Sequence, residues 1–131
     1  MPRPEIALSF FKLNVRDMDA MLAFYRDAFG FDVVATYDVE DFLEHVLALP
    51  GQENGPNLML VAFKDGRVLA PGTRHGPVGL ITNDIITVHE KALAAGARPV
   101  TSIIEVGEQI QVAIILDPED REIELVQLPS A

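Results

Sequence analysis

Two stretches of the chain carry apolar residues at the spacing of an amphipathic helix. In the first, Asp17 is a natural N-cap and Gly30 a natural left-handed end; the apolar stripe between them is Met18, Met21, Leu22, Tyr25 and Phe29. In the second, Asp84 and Gly96 occupy the same positions, and the stripe is Ile85, Val88, Ala92 and Ala95. The pattern predicts one helix in each half of the chain, the first about three turns long.

Runs of β-branched, aromatic and other apolar residues predict strands around each helix. In the first half these runs cover residues 5–15, 31–36, 42–49 and 57–63, and in the second half 77–82, 100–106, 109–116 and 122–127. The polar segment 37–41 is typical of a hairpin connection, and residues 50–56 of a loop. Residues 64–76 break the periodicity with turn-forming residues and predict a linker. The order βαβββ therefore occurs twice.

The two halves also match by register. Three residue pairs share a spacing of 67 positions: Leu13 with Leu80, Asp17 with Asp84, and Ala28 with Ala95. At the far end, residues 57–61 fall on residues 121–125 with a spacing of 64, which places Leu60 on Glu124. The agreement of element order with register predicts an internal duplication in an α+β fold. We expect one domain over residues 1–131, with a first module at 6–63, a linker at 64–76 and a second module at 77–127.

The composition and net charge of the chain limit which molecules it is expected to bind. A chain of 131 residues is long enough to bury a core without disulfides, and this one contains no cysteine. Its net charge of -10 argues against nucleic acid, because non-specific affinity for a phosphate backbone comes from Lys and Arg. No apolar run approaches the length of a membrane span or a secretory signal, so we expect a cytoplasmic protein with no membrane partner. The acidic balance favours cationic over anionic ligands.

The most distinctive stretch for function is the turn and strand at residues 117–125. Alternation along the strand puts Glu122 and Glu124 on one face, so both carboxylates lie on the same side of the sheet. We expect Glu124 to be the central functional residue, as a polar anchor or a general base.

Two segments of the chain resemble the vicinal oxygen chelate superfamily, which includes glyoxalase I, the bleomycin-resistance proteins and extradiol dioxygenases. Residues 15–17 and 23–31 are similar to its strand-to-helix "FY…LGF" segment. Asp117-Pro118 followed by Ile123-Glu124-Leu125 is similar to its closing "DPxGxxxEL" motif, with Asp120 where Gly is usual. The resemblance covers about Phe10 to Gln127. It implies two βαβββ modules whose sheets form a cup, within one chain or by exchange of modules in a dimer, and we expect a homodimer.

The resemblance also implies a metal held by one His, Gln or Glu from each of four strands. Phe10, Leu60 and Pro77 stand where three of these ligands are expected, and only Glu124 matches. A register error of one residue would bring in Ser9, Phe11 or Met59, none of them a plausible ligand. A single carboxylate cannot hold a catalytic metal, so we expect no divalent metal and no other cofactor.

Other candidate site residues surround Glu124 in this interpretation. Phe10, Lys12 and Asn14 share the strand face that the family directs into its cup, so Lys12 could pair with Glu124 in an apolar pocket. His45 could face the cup or a helix. The evidence for the remaining candidates is weaker. Glu122 and Glu105 could add acid to the same wall, although alternation does not assign Glu105 to a face. His75 is expected to be a solvated linker residue, and His89 a residue at the edge of the helix stripe.

The sequence therefore favours metal-independent binding of a small, largely apolar organic molecule, cationic or neutral, as in the bleomycin-resistance branch. The expected contacts are Phe10, Lys12, Asn14, His45, Leu60, Pro77, Glu122 and Glu124. The alternative is a lyase or isomerase of the glyoxalase I type, in which Glu124 acts as the base, with Lys12 or His45 assisting, with or without a divalent metal.

Overall fold

The computed structural model describes residues 8–70 and 77–129. The start of the first predicted strand, most of the predicted linker and His75 lie outside the described residues. The elements follow the order β1 Phe10–Asn14, α1 Met18–Phe29, β2 Asp32–Asp38, β3 Phe42–Ala48, β4 Asn57–Phe63, β5 Val78–Ile81, α2 Ile85–Ala94, β6 Arg98–Pro99, β7 Ile104–Val106, β8 Ile110–Leu116 and β9 Glu122–Gln127. The predicted α+β class is confirmed. Neither helix is long and apolar enough to cross a membrane.

The described chain forms two compact units. The first unit contains residues 8–18 and 30–69, and the second contains 19–29, 70 and 77–129. Helix α1 belongs to the second unit although its sequence lies within the first predicted module. The predicted module and linker boundaries stay predictions.

The first unit is built on a four-stranded sheet in the order β1-β4-β3-β2. Strand β1 is parallel to β4, and the other neighbours are antiparallel. Because side chains alternate along a strand, the register sorts them onto two faces. The Lys12 face, as we name it, carries Phe10, Lys12, Asn14, Glu44, Val46, Met59 and Val61. The opposite Leu60 face carries Leu13, His45, Leu47, Leu58 and Leu60.

The second unit has a sheet in the order β5-β9-β8-β6, and β7 also pairs with β8. One face is the core, where Ala113, Ile115, Ile123 and Leu125 are fully buried. Gln127 lies on this face and accepts the Ile85 N–H at 2.7 Å, which satisfies a free donor in the first turn of α2. The N-cap predicted at Asp84 is confirmed, since its carboxylate accepts the Thr87 N–H. The opposite face, which we name the Glu124 face, carries Gly79, Ile81, Val112, Ile114, Glu122, Glu124 and Val126.

One predicted strand is interrupted in the structure. Residues 100–106 were expected to be continuous, but regular pairing is limited to β6 and β7. Between them, the backbone N–H groups of Val100 and Thr101 both point to the Ile114 carbonyl, and the Thr101 hydroxyl accepts the Ile114 N–H at 3.0 Å. A threonine side chain thus replaces a backbone partner, which breaks the ladder.

A single buried carboxylate, that of Asp117, organises the turn before β9. Its Oδ1 accepts the N–H groups of Glu119 at 2.8 Å and Arg121 at 3.0 Å. Its Oδ2 accepts the Tyr25 hydroxyl at 2.9 Å, from a residue 92 positions earlier in the chain. Both side chains are completely buried. The contact ties α1 to the turn that presents Glu122 and Glu124.

Burial, together with the neighbouring Asp117 carboxylate, raises the pKa of Tyr25 well above its usual range. As the pH rises, the Tyr25 hydroxyl therefore loses its proton in the unfolded chain, at about pH 10, before it does so in the folded chain. The contribution of Tyr25 to stability is complete below that pH and falls above it, by about 1.4 kcal/mol per pH unit. We expect denaturant titrations between neutral and strongly alkaline pH to show a shallower loss of stability for Tyr25→Phe than for the unmodified chain.

A Tyr37→Phe background, which leaves Tyr25 as the sole tyrosine, provides an independent optical test. Tyrosinate absorbance in this variant should rise only together with unfolding. Ionisation while the far-ultraviolet circular dichroism stays native would contradict the assignment.

The same turn explains how Asp120 replaces the usual glycine. Asp120 has φ 69°, in the left-handed region that glycine adopts without strain. Its carboxylate forms an ion pair with the exposed Arg98 guanidinium. Asp tolerates this conformation better than most residues, and the motif therefore keeps its geometry without glycine.

Replacing Asp120 by Gly and by Ala separates the backbone from the ion pair, because both variants lose the carboxylate. We expect Asp120→Ala to be less stable than Asp120→Gly by about 1 kcal/mol, since only alanine keeps a Cβ in the left-handed region. Urea denaturation measures the difference. Equal stabilities would show that the φ value of Asp120 costs nothing.

Candidate functional site

Glu124 lies in the middle of the second unit's sheet, between Gly79 on β5 and Ile114 on β8. Glycine leaves open space beside the carboxylate, because a Cβ added at Gly79 would meet no atom within 4 Å. Glu122 lies on the same face next to Leu116 and is exposed, whereas Glu124 is half-buried. The predicted pair of carboxylates on one strand face is therefore present.

The side chains that surround Glu124 on this face are apolar. They include Ile81, Val112, Ile114, Leu116 and Val126, and Ile81 is 70% exposed. The register also places Arg98 on this face, beside Leu116, and Arg98 forms its ion pair with Asp120. Among the described residues, Glu124 has no ion-pair or hydrogen-bond partner. This surface thus offers a carboxylate without a counter-charge, surrounded by aliphatic side chains.

The sheet register corrects one position of the sequence comparison. Leu13 pairs with Leu60 in the first unit, as Leu80 pairs with Leu125 in the second. One residue earlier, Lys12 pairs with Met59, as Gly79 pairs with Glu124. Met59, and not Leu60, is therefore the counterpart of Glu124. Leu60 belongs to the other face and is fully buried. The sequence alignment was wrong by one residue because the loop at 50–56 hides the true offset.

The four positions expected to bind metal in the family are then Phe10, Met59, Pro77 and Glu124. They supply one carboxylate, one thioether and no imidazole, a donor set that does not fit a hard or borderline divalent cation. Among residues 8–70 and 77–129, no group of three or more His, Asp or Glu is arranged to hold a metal. The residues at the family's positions do not fit the family's metal; metal-free binding nevertheless stays a prediction.

Lys12 has a partner that sequence reasoning missed. Its Nζ lies 2.8 Å from Oε1 of Glu44, whose side chain is 8% exposed. The suggested pairing with Glu124 is therefore replaced by a pair inside the first unit. The contact is an ion pair by distance, although its angles do not meet hydrogen-bond geometry, so Glu44 Oε1 has no hydrogen bond. Glu44 is the only carboxylate in the apolar run 42–49, and this was the feature of the sequence that could have identified it as a candidate.

The remaining predicted residues divide between the faces. Phe10 and Asn14 share the Lys12 face as expected, and Phe10 is 46% exposed. His45 lies on the Leu60 face, where its Nδ1 is 2.8 Å from the Thr36 hydroxyl. Leu60 and His45 are thus not on one face with Phe10.

The other candidates are in the second unit. Pro77 is exposed just before β5. Glu105 pairs with Gln111, which places it on the face opposite Glu124. His89 has a buried Nε2 without a hydrogen bond among the described residues. By register, Glu105 is therefore not on the face that carries Glu122 and Glu124.

Comparison with known proteins establishes the family. A model of the Glyoxalase/Bleomycin resistance protein/Dioxygenase superfamily matches residues 7–125. The chain belongs to this superfamily, as the resemblance in the sequence implied. No curated protein gives a significant match.

Solved structures with the same fold come from plants, protists and bacteria. A glyoxalase I variant from Zea mays has a TM-score of 0.83 and 21% identity over 92% of this chain. The chain spans only 45% of that protein. Glyoxalase I from Leishmania major has a TM-score of 0.79 and 18% identity, covering 94% of this chain and 87% of its own. A family enzyme from Burkholderia phytofirmans PsJN has a TM-score of 0.68 and 18% identity, covering 95% and 100%. At these identities the likeness shows the fold alone.

Placing a glutamate at each of the two adjacent positions tests the corrected register. Met59→Glu puts a carboxylate at a half-exposed position directly beside Lys12, so we expect a loss of stability within about 1 kcal/mol. Leu60→Glu buries a charge in the core and should cost more than about 3 kcal/mol. Urea denaturation of both variants, with Met59→Leu as the control for shape, measures the contrast. A larger loss at residue 59 than at residue 60 would show the register to be wrong.

Proposed function

We propose that this protein binds a small, largely apolar organic molecule, cationic or neutral, on the Glu124 face without the aid of a metal. The observation that carries the proposal is the half-buried Glu124 carboxylate, which has no partner among the described residues and is surrounded by aliphatic side chains on its sheet face. Binding pockets for small molecules commonly combine a large apolar surface with a few polar groups that fix orientation. Glu124 is the polar group, and Ile81, Val112 and Ile114 supply the apolar surface.

Charge supports a cationic ligand over an anionic one. The Glu122 and Glu124 carboxylates lie two residues apart on the same face, and the chain has a net charge of -10. An anion would meet repulsion from both groups, whereas an ammonium could form a charge-assisted hydrogen bond with Glu124. Membership of a superfamily that includes bleomycin-resistance proteins is consistent with this type of ligand.

A binding screen with matched variants tests the proposal. Thermal shift should detect stabilisation by aromatic amines or cationic glycopeptides, because a ligand that binds only the folded state raises stability with its concentration. For any compound found, Glu124→Gln should weaken binding by about tenfold or more, since it removes a charged acceptor but keeps the shape. Glu122→Gln is the control, and its exposed carboxylate should contribute less.

The same screen can reject the proposal. Equal affinities for the unmodified chain and Glu124→Gln would remove Glu124 from the site. Stabilisation by glutathione hemithioacetals, with none by cationic compounds, would favour a lyase or isomerase of the glyoxalase I type in which Glu124 is the base.

A further inference from the structure

The outer strand of the first unit's sheet, β2, is rich in apolar residues and almost entirely exposed. Six of its seven residues are exposed, and the seventh is half-buried. Val33, Val34 and Tyr37 in the strand, and Val39 directly after it, each expose between 39% and 53% of their surface. A strand of an antiparallel sheet normally buries one of its two faces. Strand β2 therefore presents apolar side chains that the first unit leaves uncovered.

The backbone of β2 is also available along one edge. In the order β1-β4-β3-β2, only β3 pairs with it, so its outer N–H and C=O groups have no strand partner among the described residues. Proteins often protect such an edge with a bulge, and β2 has one between Val33 and Ala35. Beyond the bulge, residues 35–38 remain in regular register. An extended peptide can add to this regular stretch as a further strand.

The charges around β2 decide which kind of chain fits this edge. Asp32 begins the strand and Asp38 ends it, and Glu40 and Asp41 follow in the turn. All four are exposed, and among the described residues only Asp38 forms an ion pair, with Lys64. A second copy of this chain would bring the same acids and a net charge of -10. A segment with basic ends would instead meet opposite charge at both ends of the strand.

We propose that the outer edge of β2 binds an extended peptide segment of a partner protein, apolar at alternate positions and basic at both ends, by adding it to the sheet. Main-chain hydrogen bonds hold the peptide, and its apolar side chains cover Val33 and Tyr37, which lie on opposite sides of the strand. Six residue steps of an extended chain span about 20 Å, so a seven-residue segment reaches from Asp32 to Asp38. This surface is an edge of the sheet and does not involve Glu124, so neither proposal requires the other.

A synthetic peptide tests the proposal. Acetyl-Lys-Thr-Val-Thr-Val-Thr-Lys-amide has the required length, alternation and charge, and the same peptide with Glu in place of both Lys is the matched control. Amide chemical shifts of residues 32–38 report binding at this edge, and those of residues 79, 114 and 124 report binding on the Glu124 face. We expect the lysine peptide to shift residues 32–38 and slow their hydrogen exchange. The glutamate peptide should bind about tenfold more weakly or worse.

Charge reversal on the protein provides the reciprocal test. Asp32→Lys combined with Glu40→Lys should weaken binding of the lysine peptide by about tenfold and strengthen binding of the glutamate peptide. Glu90→Lys combined with Glu108→Lys is the matched control, since both residues are exposed in the second unit and the change in net charge is the same. This control variant should distinguish the two peptides as the unmodified chain does.

Backbone methylation separates strand addition from simple charge attraction. A lysine peptide methylated on its three central backbone nitrogens keeps its charges and side chains but cannot donate the main-chain hydrogen bonds, so it should not bind. Equal binding of the methylated and unmethylated peptides overturns the proposal. It is also overturned if the glutamate peptide binds as well as the lysine peptide, or if the lysine peptide shifts none of residues 32–38. Self-association that shifts residues 32–38 without peptide would identify a second copy of the chain as the occupant and would overturn it too.

Discussion

The hydrogen bond between Tyr25 and Asp117 is the constraint on which the second unit depends. It joins a helix from the first half of the sequence to the turn that precedes β9, between residues 92 positions apart in the chain. Asp117 uses both oxygens, one for the backbone of the turn and one for the tyrosine, and is fully buried. A buried carboxylate is tolerated only when its acceptor sites are filled. The hydrogen bonds that Asp117 accepts thus fix the turn before β9, and the turn in turn positions Glu124 on that strand.

The same turn shows how far a motif predicts geometry. Asp120 replaces the glycine that is usual in the family, yet its φ of 69° is a glycine-like conformation. The backbone hydrogen bonds to Asp117 fix the turn, and the residue at position 120 conforms to it. Identity at a motif position is therefore less informative than the hydrogen bonds that the motif makes.

Local pattern predicted the elements of the fold well. Both helices, the Asp84 cap and the strand at Asn57–Phe63 follow directly from hydrophobic period and capping residues. The interruption between β6 and β7 could not be predicted, because it depends on a Thr101 side chain taking a backbone partner from another strand.

The site was predictable only where alternation within one strand decides it. Glu122 and Glu124 share a face for that reason, and so do Phe10, Lys12 and Asn14. Register between strands requires knowledge of the pairing, and an error of one residue moves a side chain to the other face. The sequence alone therefore aligns Leu60 where Met59 belongs, and it does not reveal Glu44 as the partner of Lys12.

We propose that Glu124 binds a ligand directly, since the other three positions of the family's metal site hold Phe10, Met59 and Pro77. Calorimetric titration of a bound cationic compound, with and without a strong chelator, tests this most directly. We expect the same affinity in both conditions, and no stoichiometric divalent metal in the purified protein. Loss of binding in the chelator, with recovery on adding a divalent ion, would contradict it.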